Sequence, residues 1–193
     1  RVNIHCAECW VSGQKLGEIT AKITPEGQHT LKLTAGFLKN SAGELMLDAL
    51  WHSNNGNKTE IAGSLTGEAF DETAAYFGVL VPIIDSPYSI EFDLNWGLVP
   101  WEPDLATLNG KMSMNLGKGA IAHMGGGRAG QLLRLVSFDA LLRKLQLDFR
   151  DTFSNDFNFD SIKGDAVINQ GILTSKNLNI DGLVADIALN GEI

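Results

Sequence analysis

Two cysteines three positions apart, Cys6-Ala7-Glu8-Cys9, with His5 beside them, are the first residues in this chain whose types and spacing could do chemistry. Such a pair can exchange disulfides, supply half of a zinc site, or close on itself. Redox use favours a βαβ setting, and here Val2, Ile4 and Cys6 alternate with polar neighbours as a strand does. Zinc needs further ligands at suitable spacing. Adjacent strand residues such as His5 and Cys6 face opposite ways, and no second ligand pair is spaced to help. A local disulfide and a pair of inert thiols remain, and the redox compartment decides between them.

Other motifs are weaker on inspection. Gly125-Gly126-Gly127-Arg128-Ala129-Gly130 satisfies the dinucleotide-binding pattern literally, with Asp148 downstream. That pattern works only between parallel strands with crossover helices, and the surrounding chain reads as antiparallel, so a flexible loop is expected. Asp156-Phe157-Asn158-Phe159-Asp160 imitates the start of a calcium loop, but Ser161 stands where the sharp turn needs glycine and Val167 where the loop needs glutamate. Its alternation predicts a half-buried strand. Four scattered histidines, no nucleophile elbow and no carboxylates paired at recognisable spacing leave no catalytic residue to name, and no cofactor or metal is expected.

Composition narrows the class further. With 193 residues the chain can bury roughly 70% of its unfolded surface as one domain. Its 44% apolar and 20% charged residues make it globular, and 21 glycines suggest many turns between short strands. A net charge of -8 argues against nucleic acid, which needs clustered Lys and Arg. The longest apolar run, Tyr76 to Ile84, is too short for a membrane helix and contains Pro82. The start at Arg1, with no methionine and no signal-peptide pattern, and the stop at Ile193 straight after a strand-like run read as a segment of something longer.

The elements that carry these residues are mostly strands. Apolar residues alternate at Ile19, Ala21 and Ile23; at Leu31, Leu33, Ala35 and Phe37; at Leu45, Leu47, Ala49 and Trp51; and at Ile61 and Leu65. Asn55-Gly56 marks a hairpin turn. Asp71 then caps a short helix in which Phe70, Ala74, Phe77 and Val81 share a face and Pro82 ends the run. Strands resume at Ile90, Phe92, Leu94 and Trp96, at Leu108, Met112, Met114 and Leu116, and, near the C-terminus, at Ile162, Ala166 and Ile168, Ile172 to Thr174, Leu178 and Ile180, and Ala185, Ile187 and Leu189. One stretch breaks the rule. Phe138, Leu141, Leu142 and Leu145 recur at helical spacing behind the N-cap Ser137, with Arg143 and Lys144 on a basic pair. The fold class is therefore mainly β: an extended antiparallel sheet of repeating hairpins with two short amphipathic helices. One segment covers 1–193, with strands over 1–68, a helix, strands and Gly-rich loop over 69–130, and the second helix and terminal strands over 131–193.

The run AGQLLRLVSFDALLRKLQLDF, followed by FNFDSIKGDAVINQGILTSKNLNIDGLVADIALNGEI, resembles the C-terminal region of the YhdP family, in the AsmA-like group that includes TamB. Upstream, FDETAAYFGVLVPIIDSPYSIEFDLNWGLVPWE is similar to the same region, with Trp96 and Pro100 at the family's spacing. The likeness covers roughly the last two thirds of the chain, and the first sixty or so residues match only as generic strands. It implies a Gram-negative envelope protein anchored in the inner membrane. Its periplasmic part is a long U-shaped β-groove, or β-taco, whose dry concave face carries phospholipid acyl chains towards the outer membrane. Partners would be phospholipids and the outer membrane or a protein associated with it. Relatives in the TamB branch are linked to outer-membrane protein assembly, so a structural scaffold is the alternative.

A periplasmic setting favours a Cys6–Cys9 disulfide pinning a turn before Trp10. A groove with one dry face would be lined by Ile61, Leu65, Ile90, Phe92, Leu94, Met112, Met114, Leu116, Ile168 and Ile187, where acyl chains cover it at about 0.8 kcal/mol per buried CH₂. Packing of the same residues against protein is the competing expectation. The helix bearing Phe138, Leu141, Leu142, Arg143, Lys144 and Leu145 either plugs the groove or touches a membrane, or buries its leucines over the end of the sheet; one basic pair is little charge for surface anchoring, which favours the structural role.

Overall fold

Alternating apolar and polar side chains over hairpin after hairpin leave the chain one economical arrangement, a meander in which each strand pairs with its neighbours and all dry positions share one face. The structure, a computed structural model, describes residues 1–11, 14–54, 56–76, 81–122, 157–182 and 186–192. Five strands come first: β1 (Val2–Val11), β2 (Gln14–Pro25), β3 (Thr30–Lys39), β4 (Glu44–His52) and β5 (Lys58–Gly67). Helix α1 (Phe70–Tyr76) is next, then β6 (Ile83–Ile84), β7 (Tyr88–Trp96), β8 (Asn109–Leu116), β9 (Gly119–Ile121), β10 (Phe157–Asn169), β11 (Ile172–Gly182) and β12 (Asp186–Glu192). All twelve strands belong to one sheet, in the order β1-β2-β3-β4-β5-β7-β8-β10-β11-β12, with β9 paired to β10 and β6 to β9 beyond the end of β8. Every ladder is antiparallel.

The expectation of two short helices over-states the helix content of the described residues. Those hold α1 and a 3₁₀ turn, Leu105–Thr107. The expected second helix, with Phe138, Leu141, Leu142, Arg143, Lys144 and Leu145, lies outside the described residues, as does the Gly125–Gly130 loop. Phe157 to Asp160 open β10 as a strand, with Phe159 fully buried. The pieces expected at Ile172 to Thr174 and at Leu178 and Ile180 are one strand, β11, interrupted by an irregularity between Ser175 and Leu178.

Such irregularities keep the two faces distinct. In β3 the register runs Leu33 opposite Ala49, then Gly36 opposite Leu47, so an extra residue is inserted. Ala35 occupies the bulge at φ 50°, and its N–H donates to Asp48 Oδ1 at 2.9 Å. The insertion reverses the facing of the remaining strand residues. Leu38 joins Leu33 on the dry face, while Phe37 pairs with Met46 on the other, contrary to the simple alternation read through Phe37. In β11 the arrangement is reversed: Asn177, inside the bulge, accepts from the Asp165 N–H of β10 at 2.9 Å and donates to Asp165 Oδ2 at 2.6 Å. In β1 the register shifts between Cys6 and Cys9, and the residues flanking the shift are joined by a disulfide of 2.06 Å.

Ala35 sits in left-handed backbone, which costs an L-residue about 1–2 kcal/mol and a β-branched one more. Ala35→Val is expected to lower the free energy of unfolding by about 1–2 kcal/mol, and Ala35→Gly to leave it unchanged or raise it by up to about 1 kcal/mol. Urea denaturation monitored by circular dichroism measures both, and equal losses for the two variants would contradict a strained bulge.

Candidate functional site

Cross-strand partners share a face, so the register assembles the dry side row by row. One row runs Val2, Ile23, Leu33, Ala49, Ile61, Leu94, Gly110, Ile168 and Leu173. The next passes through Leu47, Gly63, Phe92, Met112 and Ala166. A third links Cys6, Ile19, Leu38, Leu45, Leu65, Ile90, Met114 and Gly164. Phe92 lies close over Gly63, where an added Cβ would come within 3.1 Å of Phe92 Cζ and 2.0 Å of the Met46 carbonyl oxygen. The opposite face carries Lys22, Thr34, Asp48, Glu60, Asp93, Lys111 and Asp165 at matching positions. There the Ser113 hydroxyl and the Asn177 amide hold the Asp165 carboxyl below the usual carboxylate range.

These rows are the floor of a trough. Ile61, Leu65, Ile90, Phe92, Leu94, Met112 and Met114 are all half-buried, although they lie in the middle of the sheet. No second sheet faces them among the described residues. The described core sits elsewhere. Leu116 and Phe159 are fully buried in a cluster with Ile83, Tyr88, Ile162 and Ile180, at one end of the strands. Burying each such side chain stabilises the fold by about 1.5–3 kcal/mol. Leu116 is therefore covered by the protein itself, and Ile168, at 8% exposure, nearly so. Ile187 falls opposite Ile180 in the register of β11 and β12. Ile19, Ile23, Leu33, Leu38, Leu45 and Leu47 extend the half-buried floor through β2, β3 and β4. Alternation alone could have nominated all of these but Leu38, which reaches the floor only through the bulge at Ala35.

Helix α1 overhangs the rim at the cluster end. Phe70 meets Tyr88 edge to face at 5.4 Å, and the Tyr88 hydroxyl donates to Thr73 Oγ1 at 2.7 Å. Thr73 passes a hydrogen bond of 2.7 Å to the Ala42 carbonyl, and Tyr76 donates to the Lys15 carbonyl at 3.1 Å. The helix thus straps the ends of β7, β4 and β2 together. Burial pushes the Tyr88 phenol up, an effect the Thr73 hydrogen bond partly opposes. A depression of ≈ 550 Å³ at this rim, lined by Asn40, Gly43, Gly67 and Glu72 among others, shares no residue with the floor.

The facing rim is built by residues 97–108. Thr59, fully buried, donates to the Leu98 carbonyl at 2.7 Å, Trp96 Nε1–H donates to the Val99 carbonyl at 3.0 Å, and the Gly171 N–H donates to the Leu108 carbonyl at 2.9 Å. Asp104 caps the 3₁₀ turn by accepting from the Ala106 N–H at 3.1 Å. Trp101 reaches back to Trp51, ring centroids 5.6 Å apart. Among the described residues no three His, Cys, Asp or Glu side chains gather as metal ligands, and no helix is long and apolar enough to cross a membrane.

Comparison with known proteins puts this arrangement in context. The family described as "YhdP protein" matches residues 1–193, including the first sixty, which read only as generic strands. Over 191 residues the chain is 47% identical to a protein of Escherichia coli (strain K12) named "Intermembrane phospholipid transporter YhdP"; the match covers 98% of this chain and 15% of that protein. No solved structure matches the chain.

The strap makes its own prediction. Tyr88→Phe removes one buried hydrogen bond and should cost about 0.5–1.5 kcal/mol in urea denaturation at neutral pH. Because the folded phenol is held above its unfolded value, it stabilises the fold below about pH 10 and that contribution is lost as pH rises further. Replacing the phenol removes this loss, so the stability of the Tyr88→Phe protein should respond differently from the parent's above about pH 10. With the proton held more tightly in the folded state, the parent gains stability from Tyr88 at lower pH relative to its fully ionised form, and its alkaline decline is the steeper. Parallel alkaline slopes would show that Tyr88 does not carry the effect.

Proposed function

The chain belongs to the YhdP family, and from that premise we propose that it forms a stretch of a groove along which phospholipids pass between the membranes of a Gram-negative envelope. One observation carries the reading: an apolar floor that stays half-buried across the middle of the sheet, with no opposing layer among the described residues. Hydrocarbon is the occupant that suits such a floor. Each methylene buried there gains about 0.8 kcal/mol, and no directional contact limits where along the floor it rests. Met112 and Met114 add adaptable, polarisable surface at the centre. The ladder from β1 to β12 is on the order of 40 Å long at about 4.8 Å per strand, so a chain can move along it without leaving apolar cover.

On this reading the stretch lies in the periplasm, as part of an inner-membrane-anchored protein with the outer membrane as acceptor, and it needs no catalytic group. Lipid contacts are assigned to Ile61, Leu65, Ile90, Phe92, Leu94, Met112 and Met114. Leu116 serves the packed rim instead, since the protein already covers it.

A photo-crosslinking side chain at Phe92 is expected to capture phospholipid in cells. Met112→Asp would set a carboxylate against hydrocarbon at about 2.5–3.5 kcal/mol, so lipid capture should fall tenfold or more while circular dichroism stays unchanged. Capture of protein alone at Phe92, or undiminished lipid in the aspartate variant, would overturn the proposal. Crosslinks from the outer face to an outer-membrane protein would favour an assembly scaffold.

A further inference from the structure

The two rims of the trough differ in kind, and the difference orients whatever lies between them. The rim under α1 is closed by packing: Tyr88, Leu116, Phe159, Ile162 and Ile180 are each 5% exposed or less. Leu65, Ile90 and Met114 of the floor run straight into that cluster, so the apolar surface ends against protein. Glu68, Asp71 and Glu72 lie on or beside the helix there, and Glu102 and Asp104 stand in the loop of the opposite rim, so it is packing and not charge that separates the two ends.

The other rim is aromatic. Trp51 lies between Leu31 and Thr59 in the row that ends the dry face, and Thr59 in turn pairs with Trp96. Both indoles have their N–H engaged by the rim's own polar groups. Trp51 Nε1–H donates to Asn57 Oδ1 in the turn between β4 and β5 at 3.1 Å, and Trp96 Nε1–H donates to the Val99 carbonyl at 3.0 Å. Trp101 packs edge-on against Trp51, with 67° between the planes, yet is 74% exposed, and Leu105, four residues on in the same segment, is 71% exposed. Just past the row come His52 and Lys58, the last register pair of β4 and β5. Glu60 accepts a hydrogen bond from the Lys58 ammonium and lies 3.9 Å from His52 Nε2. An indole with its body in hydrocarbon and its N–H in a polar layer is the arrangement that places tryptophan at membrane–water boundaries.

We propose that a phospholipid in the trough lies with its acyl chains on the floor and its phosphate end at the Trp51–Trp101 rim. The inference rests on the reading of the dry face as a phospholipid path. Trp101 is a positioning residue in this scheme, an exposed aromatic edge that the glycerol region of the lipid passes as it leaves apolar cover.

Phospholipids carrying a photoactivatable diazirine either in the headgroup or at the end of an acyl chain test it, with crosslinked residues of the purified chain mapped by mass spectrometry. The headgroup probe is expected on Trp51 and residues 98–105, and the chain-end probe on Phe92 and Met112. Trp101→Ala should lower headgroup labelling at that rim about two- to tenfold, and Trp101→Phe should restore it. Headgroup labelling at Gly67 to Glu72, or shared equally between the rims, would overturn the orientation while chain-end labelling of the floor left the transport reading standing. Equal labelling of Trp101 by both probes only when vesicles are present would make the loop a bilayer-inserting element and reject the proposal. A floor that neither probe labels would remove both readings together.

Discussion

Register is the constraint on which this structure depends. A strand shifted by one residue turns all its apolar side chains to the opposite face, and a sheet of many strands multiplies the consequence. Here one dry row, from Val2 to Leu173, runs unbroken from β1 to β11 although β1, β3 and β11 each carry an irregularity. Each of these three is pinned by a bond of its own: the Cys6–Cys9 disulfide, the Ala35 N–H to Asp48, and the paired bonds between Asp165 and Asn177. Bulges add local twist and bend. With the register fixed on both sides of each, the bend is obtained without mixing the faces.

Continuity of the floor depends in turn on the rims. An apolar face with no opposing layer would be an aggregation hazard if it reached the strand ends bare. At one side α1 and its buried cluster close it; at the other, residues 97–108 fold back and are held by hydrogen bonds from β5 and from the turn before β11. Among the described residues, the buried side chains therefore concentrate along the edges and not in a central core. That distribution is the reverse of a sandwich, in which two inner faces bury each other midway.

Much of this was legible in the alternation of residue types. The five strands of the first third, the antiparallel meander and the floor from Ile61 to Met114 come from period-two patterning, because a strand with one dry face has no other way to write itself. Phe37 shows where the pattern misleads. It alternates correctly with Leu33 and Ala35, yet a bulge at an ordinary alanine moves it to the polar face, and nothing in the residue type announces that. Leu116 and Met114 look identical in sequence, two alternating apolar residues of one strand, and only the tertiary position of Phe159 and Ile83 separates a covered residue from an open one. The tryptophan rim was equally hidden. Trp51 and Trp101 lie far apart in the chain and meet only because the loop after β7 turns back across the end of β4.

The ladder also has an arithmetic of its own. Each of the serial strands bonds only to the strands beside it, so a hairpin added or removed changes the length of the trough by about 10 Å and leaves its width and lining as they were. Length and cross-section are thus uncoupled in this architecture: repeating a hairpin extends the sheet, while the apolar rows that each hairpin carries keep their spacing and facing.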